Sequence, residues 1–278
     1  MAAALRSHPR AVPLGRARPA GRVQGEAGWK VTMADPTFSG RSGLLVSIRD
    51  VAEAKLALSS GADVINLEPS SADVAGDSGL SFVTDVARFV AGRRIVSASI
   101  ADVPAADAAA FALSAMALAT AGADHIRVRL PASAPLSELE AVIASIAAAP
   151  FGAEHPVAVL FADGEVEAGL LPVLASAGFA GVMLEVSEHG SGRLLDHATA
   201  ERLSALAEAC RQNGLFLGVG GSLRLADIPS LVQAGVGLLG FRGAACEGPT
   251  RNGRLSATRI HDLRTVIDRA AARHGKAA

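Results

Sequence analysis

One phrase recurs four times along this chain and restricts its fold more than any other feature. It runs Ser60-Gly61-Ala62-Asp63-Val64-Ile65-Asn66-Leu67, then Ala121-Gly122-Ala123-Asp124-His125-Ile126-Arg127-Val128. It returns as Ala177-Gly178-Phe179-Ala180-Gly181-Val182-Met183-Leu184 and as Ala234-Gly235-Val236-Gly237-Leu238-Leu239-Gly240-Phe241. The glycines fall 61, 56 and 57 residues apart, near the length of two strand–helix units. Each stands where a helix would stop on a left-handed residue, and each is followed by a short β-rich run. Four more runs lie between them, Leu44–Ile48, Ile95–Ser99, Val157–Phe161 and Leu215–Val219. Eight strands alternating with helical stretches predict an α/β fold, a (β/α)8 TIM barrel. The strands are expected near residues 44–48, 63–67, 94–99, 125–129, 157–161, 181–185, 215–219 and 237–241. In the first helix Asp50 serves as cap, Glu53 completes a capping-box spacing and Gly61 ends the run.

The length agrees: such a barrel needs roughly 250 residues, and the chain has 278. Residues 41–278 are assigned to the barrel and residues 1–40 to a flexible, basic N-terminal tail. Met1–Lys30 carries Arg6, Arg10, Arg16, Arg18, Arg22 and Lys30 against one acid, Glu26, with Pro9, Pro13 and Pro19 and no apolar periodicity. An Arg-rich, acid-poor start fits a transit peptide; the plainer expectation is a disordered or over-called start with Met33 as an alternative first residue. A net charge of −1 gives no case for nucleic acid as partner, and aromatics at 4% offer no stacking platform for bases. No apolar run reaches the ~18 residues of a membrane span. With only Cys210 and Cys246 there is no disulfide framework, and a reducing cytoplasm is the expected compartment.

Side chains alternate along a strand. Four and six residues after each repeat glycine stand Ile65/Leu67, Ile126/Val128, Val182/Leu184 and Leu239/Phe241, an apolar face that belongs against the helices. Five and seven residues after it stand Asn66/Glu68, Arg127/Arg129, Met183/Glu185 and Gly240/Arg242, which should point into the barrel and rise toward its C-terminal mouth. The mouth is where the βα loops of barrels build their sites.

An anion is the best-supported ligand there. Gly218-Val219-Gly220-Gly221-Ser222 follows the seventh strand and Gly240-Phe241-Arg242-Gly243 closes the eighth. Glycines let backbone N–H groups approach an anion, and a helix N-terminus adds its dipole. Gly220, Gly221, Ser222, Arg242 and Gly243 are therefore the candidate phosphate binders, set against a pair of tight turns that hold nothing. Arg127, Arg129 and Arg242 could clamp phosphate or carboxylate through paired N–H groups, or could pair structurally with Glu68 and Glu185 across the lumen. Asp163, Asp102 and His189 are candidates for proton transfer, each weighed against an idle loop position. Cys246 reads as a small buried filler, and no metal-ligand spacing is present. The only lysines are Lys30, Lys55 and Lys276, and none ends a barrel strand. An imine mechanism needs a lysine amine beside the substrate carbonyl.

Several of these phrases, in order, resemble the (5-formylfuran-3-yl)methyl phosphate synthase family: Leu45-Val46-Ser47, Gly61-Ala62-Asp63-Val64-Ile65, Asp102-Val103-Pro104, Leu194-Leu195-Asp196-His197, Gly221-Ser222-Leu223 and Arg242-Gly243-Ala244-Ala245-Cys246. The resemblance covers about Gly43 to the C-terminus. It implies a cofactor-free lyase of methanofuran and methylofuran biosynthesis that condenses two glyceraldehyde 3-phosphate molecules with loss of phosphate and water. By the same resemblance Glu68 stands where the family has its Schiff-base lysine, Arg127 and His189 where it has two further lysines, and Glu185 where it has an aspartate. Asp163, Gly220-Gly221 and Arg242 match. The resemblance thus implies a retained phosphate-binding half and a lost covalent half, with Glu68, Arg127, Asp163, Glu185 and His189 left to act as acids, bases or charges. Two readings follow: a synthase-like lyase with an altered active site, or a non-catalytic paralogue that binds a phosphorylated metabolite or an active partner subunit. Either takes a phosphorylated small molecule, and self-association into a homo-oligomer is compatible with both.

Overall fold

The computed structural model describes residues 41–67, 77–100, 107–131, 134–150, 154–164, 166, 169–187, 192–248 and 250–274. The expected tail over 1–40, together with Glu68, Asp102 and His189, lies outside the described residues.

Eight parallel strands close a barrel in sequence order. They are β1 (Gly43–Ile48), β2 (Val64–Leu67), β3 (Ile95–Ser99), β4 (His125–Arg129), β5 (His155–Phe161), β6 (Gly181–Glu185), β7 (Phe216–Val219) and β8 (Leu238–Phe241). The last strand pairs back to the first, with Leu44 opposite Leu239 and Leu45 opposite Gly240. The helices are α1 (Val51–Ser59), α2 (Asp77–Val90), α3 (Ala108–Ala121), α4 (Leu136–Ala147), α5 (Leu170–Ser176), α6 (Leu194–His197), α7 (Ala200–Gln212), α8 (Ile228–Gln233) and α9 (Ala257–His274). The repeat glycines do what their position requires: Gly61, Gly122, Gly178 and Gly235 have φ between 80° and 101°, a region an L side chain rarely enters. Asp50 caps α1 by accepting the Glu53 N–H, while the Glu53 carboxylate accepts the Arg49 N–H.

Strand alternation divides the interior into two cores. Ile65, Leu67, Ile126, Val128, Val182, Leu184, Leu239 and Phe241 join one large cluster against the helices. Leu45, Val64, Ile95, Val157, Val159, Phe161, Met183, Phe216 and Leu238 form a separate, smaller cluster inside the barrel. The lumen is filled by size complementation. A Cβ on Gly181 would stand 2.5 Å from the Phe216 ring, and one on Gly218 would stand 2.2 Å from Met183 Sδ. Glycine on one strand thus makes room for a large side chain on its neighbour.

The repeat aspartates close the barrel floor. Asp63 Oδ2 accepts the Leu44 N–H of β1, and Asp124 Oδ2 accepts the Val96 N–H of β3, so each ties its strand to the preceding one. Asp63 is also paired with Arg264 of α9 and with Arg41. No helix among the described residues is long and apolar enough to cross a membrane.

Candidate functional site at the barrel mouth

The inward face of the strands turns from apolar to polar as it climbs. Ser47, Asn66, Ser97, Ser99, His125 and Arg127 are all buried and share the parity of the lumen cluster. A buried polar group must find a partner, and the partners form a chain across the barrel. Arg127 Nη2 donates to Glu185 Oε1, Arg127 Nη1 donates to Asn66 Oδ1 at 3.0 Å, and Asn66 Nδ2 donates to Ser47 Oγ at 3.1 Å. The side chains of Arg127 and Glu185 are 7% and 20% exposed. The pairing of arginine with a glutamate across the lumen, one of the two readings of these residues, is therefore the arrangement found for Arg127. Its Nε has no partner among the described residues.

Gly220 serves this pair. Its N–H donates to Leu184 O at 3.0 Å and continues the strand ladder, and a Cβ there would stand 3.2 Å from Glu185 Oε1. Its role in the structure is space for Glu185, and its own N–H is already committed.

Arg242 shares the inward parity but does not join Arg127 and Glu185. Its Nη1 donates to Glu53 Oε2 at 2.6 Å and to Ser47 O at 2.9 Å. Its Nη2 donates to Glu53 Oε1 at 3.0 Å and to Gly253 O at 3.0 Å, and its Nε donates to Arg251 O at 3.1 Å. A guanidinium has five N–H donors, and here each meets a protein oxygen. The expectation that Arg242 grips an anion gives way to a clamp that ties the end of β8 to β1 and α1. The physical reason is reach: Glu53 supplies a largely buried, two-pronged partner. Burial pushes the Glu53 carboxyl up, but hydrogen bonds from Arg242 and the Arg49 N–H, with the charges of both arginines, hold it below its ordinary 4.5.

The β7 turn is built differently. Gly221 has φ +112° and Ser222 has φ +49°, two left-handed residues in succession. Among the described residues no protein acceptor meets the N–H of Gly221, Ser222 or Gly243. Gly243 opens a short 3-10 turn, Gly243–Ala245, beside this one. Of the five expected phosphate binders, Gly220 and Arg242 are thus engaged by other protein groups.

Asp163 lies past the end of β5 and accepts from the Ser187 hydroxyl and from the Ser187 N–H at 3.3 Å. The hydroxyl bond, outweighing slight burial, lowers its pKa, so Asp163 is a carboxylate at neutral pH. Arg202 of α7 brackets it by donating to Ala162 O at 3.0 Å and Gly164 O at 2.7 Å. Arg129 lies over the Phe161 ring, 5.0 Å from its centroid. Cys246 is buried and its thiol donates to Arg242 O at 3.2 Å, in keeping with a filler.

His125 is the lumen residue that the sequence reading did not single out. Its ring stacks on Phe216 at 5.9 Å between centroids. Burial, then the positive fields of His155 and Arg127, push its pKa down to about 3. It is a neutral imidazole at any physiological pH. The signal was available: His125 occupies the parity of Arg127, one step lower on the same strand. No group of three or more His, Cys, Asp or Glu able to hold a metal occurs among the described residues.

Comparison with known proteins agrees with this architecture. Residues 44–264 match the 4-HFC-P synthase family. The (5-formylfuran-3-yl)methyl phosphate synthase of Methanococcus maripaludis (strain C5) is 30% identical over 229 residues, 79% of this chain and 97% of that protein. The synthase of the same name from Methanocaldococcus jannaschii is 30% identical over 232 residues, 80% of this chain and 98% of that protein. Among solved structures, KGPDC from Streptococcus mutans superimposes with a TM-score of 0.57 at 16% identity, covering 83% of this chain and 99% of that one, a likeness of fold alone. The chain belongs to the 4-HFC-P synthase family, the family of the (5-formylfuran-3-yl)methyl phosphate synthases.

Proposed function

We propose that this member of the family is a (5-formylfuran-3-yl)methyl phosphate synthase-like lyase with an altered active site. It binds glyceraldehyde 3-phosphate at the barrel mouth in the cytoplasm and acts on it without a covalent imine. The observation that carries this reading is the Glu185–Arg127–Asn66 chain in the lumen. Arg127 stands where the resemblance places a lysine, and a guanidinium stays protonated and non-nucleophilic. Phosphate is assigned to the N–H groups of Gly221, Ser222 and Gly243, in the turns that follow β7 and β8. The reacting aldehyde then lies toward Arg127, whose charge stabilises negative charge developing on its oxygen. Asp163 and Glu185 are the carboxylates available for proton transfer, and Glu68 and His189 are the further candidates from the sequence.

A second reading, a non-catalytic member that binds a phosphorylated metabolite, is favoured by one observation. Lys55 is the only lysine among the described residues, and it is exposed on α1. Acid–base catalysis alone contributes about 10²–10⁴-fold, so furan formation is expected to be slow. Titration calorimetry with glyceraldehyde 3-phosphate, followed by furan absorbance and released phosphate, separates the cases. Binding with slow furan formation supports the lyase. Binding without turnover supports the second reading, and no binding sinks both.

A further inference from the structure

The paired left-handed residues of the β7 turn need an explanation. Gly221 accommodates φ +112° at no steric cost, but Ser222 at φ +49° does not. A strained residue persists only where its surroundings over-determine it. Here the surroundings come from another element, the segment that leads into α6. Leu194 N–H donates to Gly221 O at 3.0 Å, and Arg193 Nε donates to Ser222 O at 3.4 Å. Arg193 Nη2 reaches across to Asp227 Oδ2 beyond the turn, and the same oxygen accepts the Arg224 N–H at 2.7 Å. Arg193 is itself held by Asp196, whose Oδ2 accepts the Arg193 N–H at 2.7 Å. The side chains of Arg193 and Asp227 are 23% and 12% exposed, so the pair is partly shielded from solvent.

We infer that Arg193 is a positioning residue. Through Ser222 O and Asp227 it holds the β7 turn in the left-handed conformation that aims the Gly221 and Ser222 N–H groups together, and it does so without touching the ligand. The inference rests on the phosphate assignment made under Proposed function. It adds that anion affinity at β7 is set by a charge pair between Arg193, ahead of α6, and Asp227, beyond the β7 turn. Replacing Ser222 by glycine removes the conformational penalty, and with it the need for Arg193.

The test uses Arg193→Ala, Ser222→Gly and the double variant in the full-length chain, with inorganic phosphate and glyceraldehyde 3-phosphate as probes in calorimetry. Arg193→Ala is expected to weaken both probes by about tenfold, the scale of one strained residue released. The double variant is expected to recover most of that loss, which neither a direct ligand contact nor a general loss of stability would allow. Hydrogen exchange of the peptide spanning residues 219–226 in the free protein gives a readout independent of ligand. Arg193→Ala should speed exchange there while α3 and α4 stay unchanged. Unchanged exchange in that peptide overturns the inference whatever the ligand does. So does unaltered affinity in Arg193→Ala, or a loss that Ser222→Gly fails to restore. If the wild-type protein binds neither probe while Arg193→Ala speeds exchange, the phosphate assignment fails and the positioning of the turn by Arg193 stands.

Discussion

At the scale of single residues, the lumen is a place where charge is tolerated only when paired. Arg127 meets Glu185 and Asn66, whereas His125 is buried against the Phe216 ring and gives up its charge. The consequence is a dependence of stability on pH. The folded pKa of His125, about 3, lies below its ordinary 6.5. Between these values the unfolded chain binds a proton that the folded chain refuses, so acid favours unfolding. Wild-type stability should fall as pH drops from about 6.5 toward about 3, by several kcal/mol in all from this residue. His125→Leu should flatten that part of the profile, as read from urea midpoints at successive pH values. Equal slopes in both proteins would show that His125 is not buried as described.

At the scale of elements, the Arg242–Glu53 clamp joins β8, β1 and α1. Removing one partner of a buried pair strands the other charge, at a cost of about 3–5 kcal/mol. Glu53→Gln should lose stability on that scale in denaturant unfolding at pH 7. The wild-type advantage should shrink as pH falls below the ordinary carboxylate range. A depressed pKa contributes stability above the unfolded value that disappears as the folded group is protonated. A Glu53→Gln protein as stable as wild type at pH 7 would remove the clamp. This clamp also marks where sequence reading stops. The strands were legible within about two residues because parity and helix-ending glycines are local properties. The inward parity of Arg242 was legible too, but not the direction of its long side chain, because Glu53 lies 189 positions away. Gly220 was read with Gly221 as one glycine pair. Its ladder bond to Leu184 depends on where β7 ends beside β6, which composition does not encode. Glu53 was visible only as part of a helix cap, and its second partner emerges when the barrel closes.

At the scale of the whole molecule, family and fold are shown, and the proposed difference from the family lies in the chemistry. The barrel, the β7 and β8 turns and Asp163 are the parts shared with the family pattern given by the resemblance. The positions that carry lysine in that pattern carry Glu68 and Arg127 here. A glutamate forms no imine, and a guanidinium paired with Glu185 is neither basic nor free to attack. The central claim is therefore that any reaction in this barrel proceeds without a covalent bond between protein and substrate. The most direct measurement is borohydride reduction of the full-length protein in the presence of glyceraldehyde 3-phosphate, followed by peptide mass spectrometry. The account predicts no substrate-sized adduct on any peptide that contains a strand end at the barrel mouth. A reduced adduct on such a peptide would contradict it.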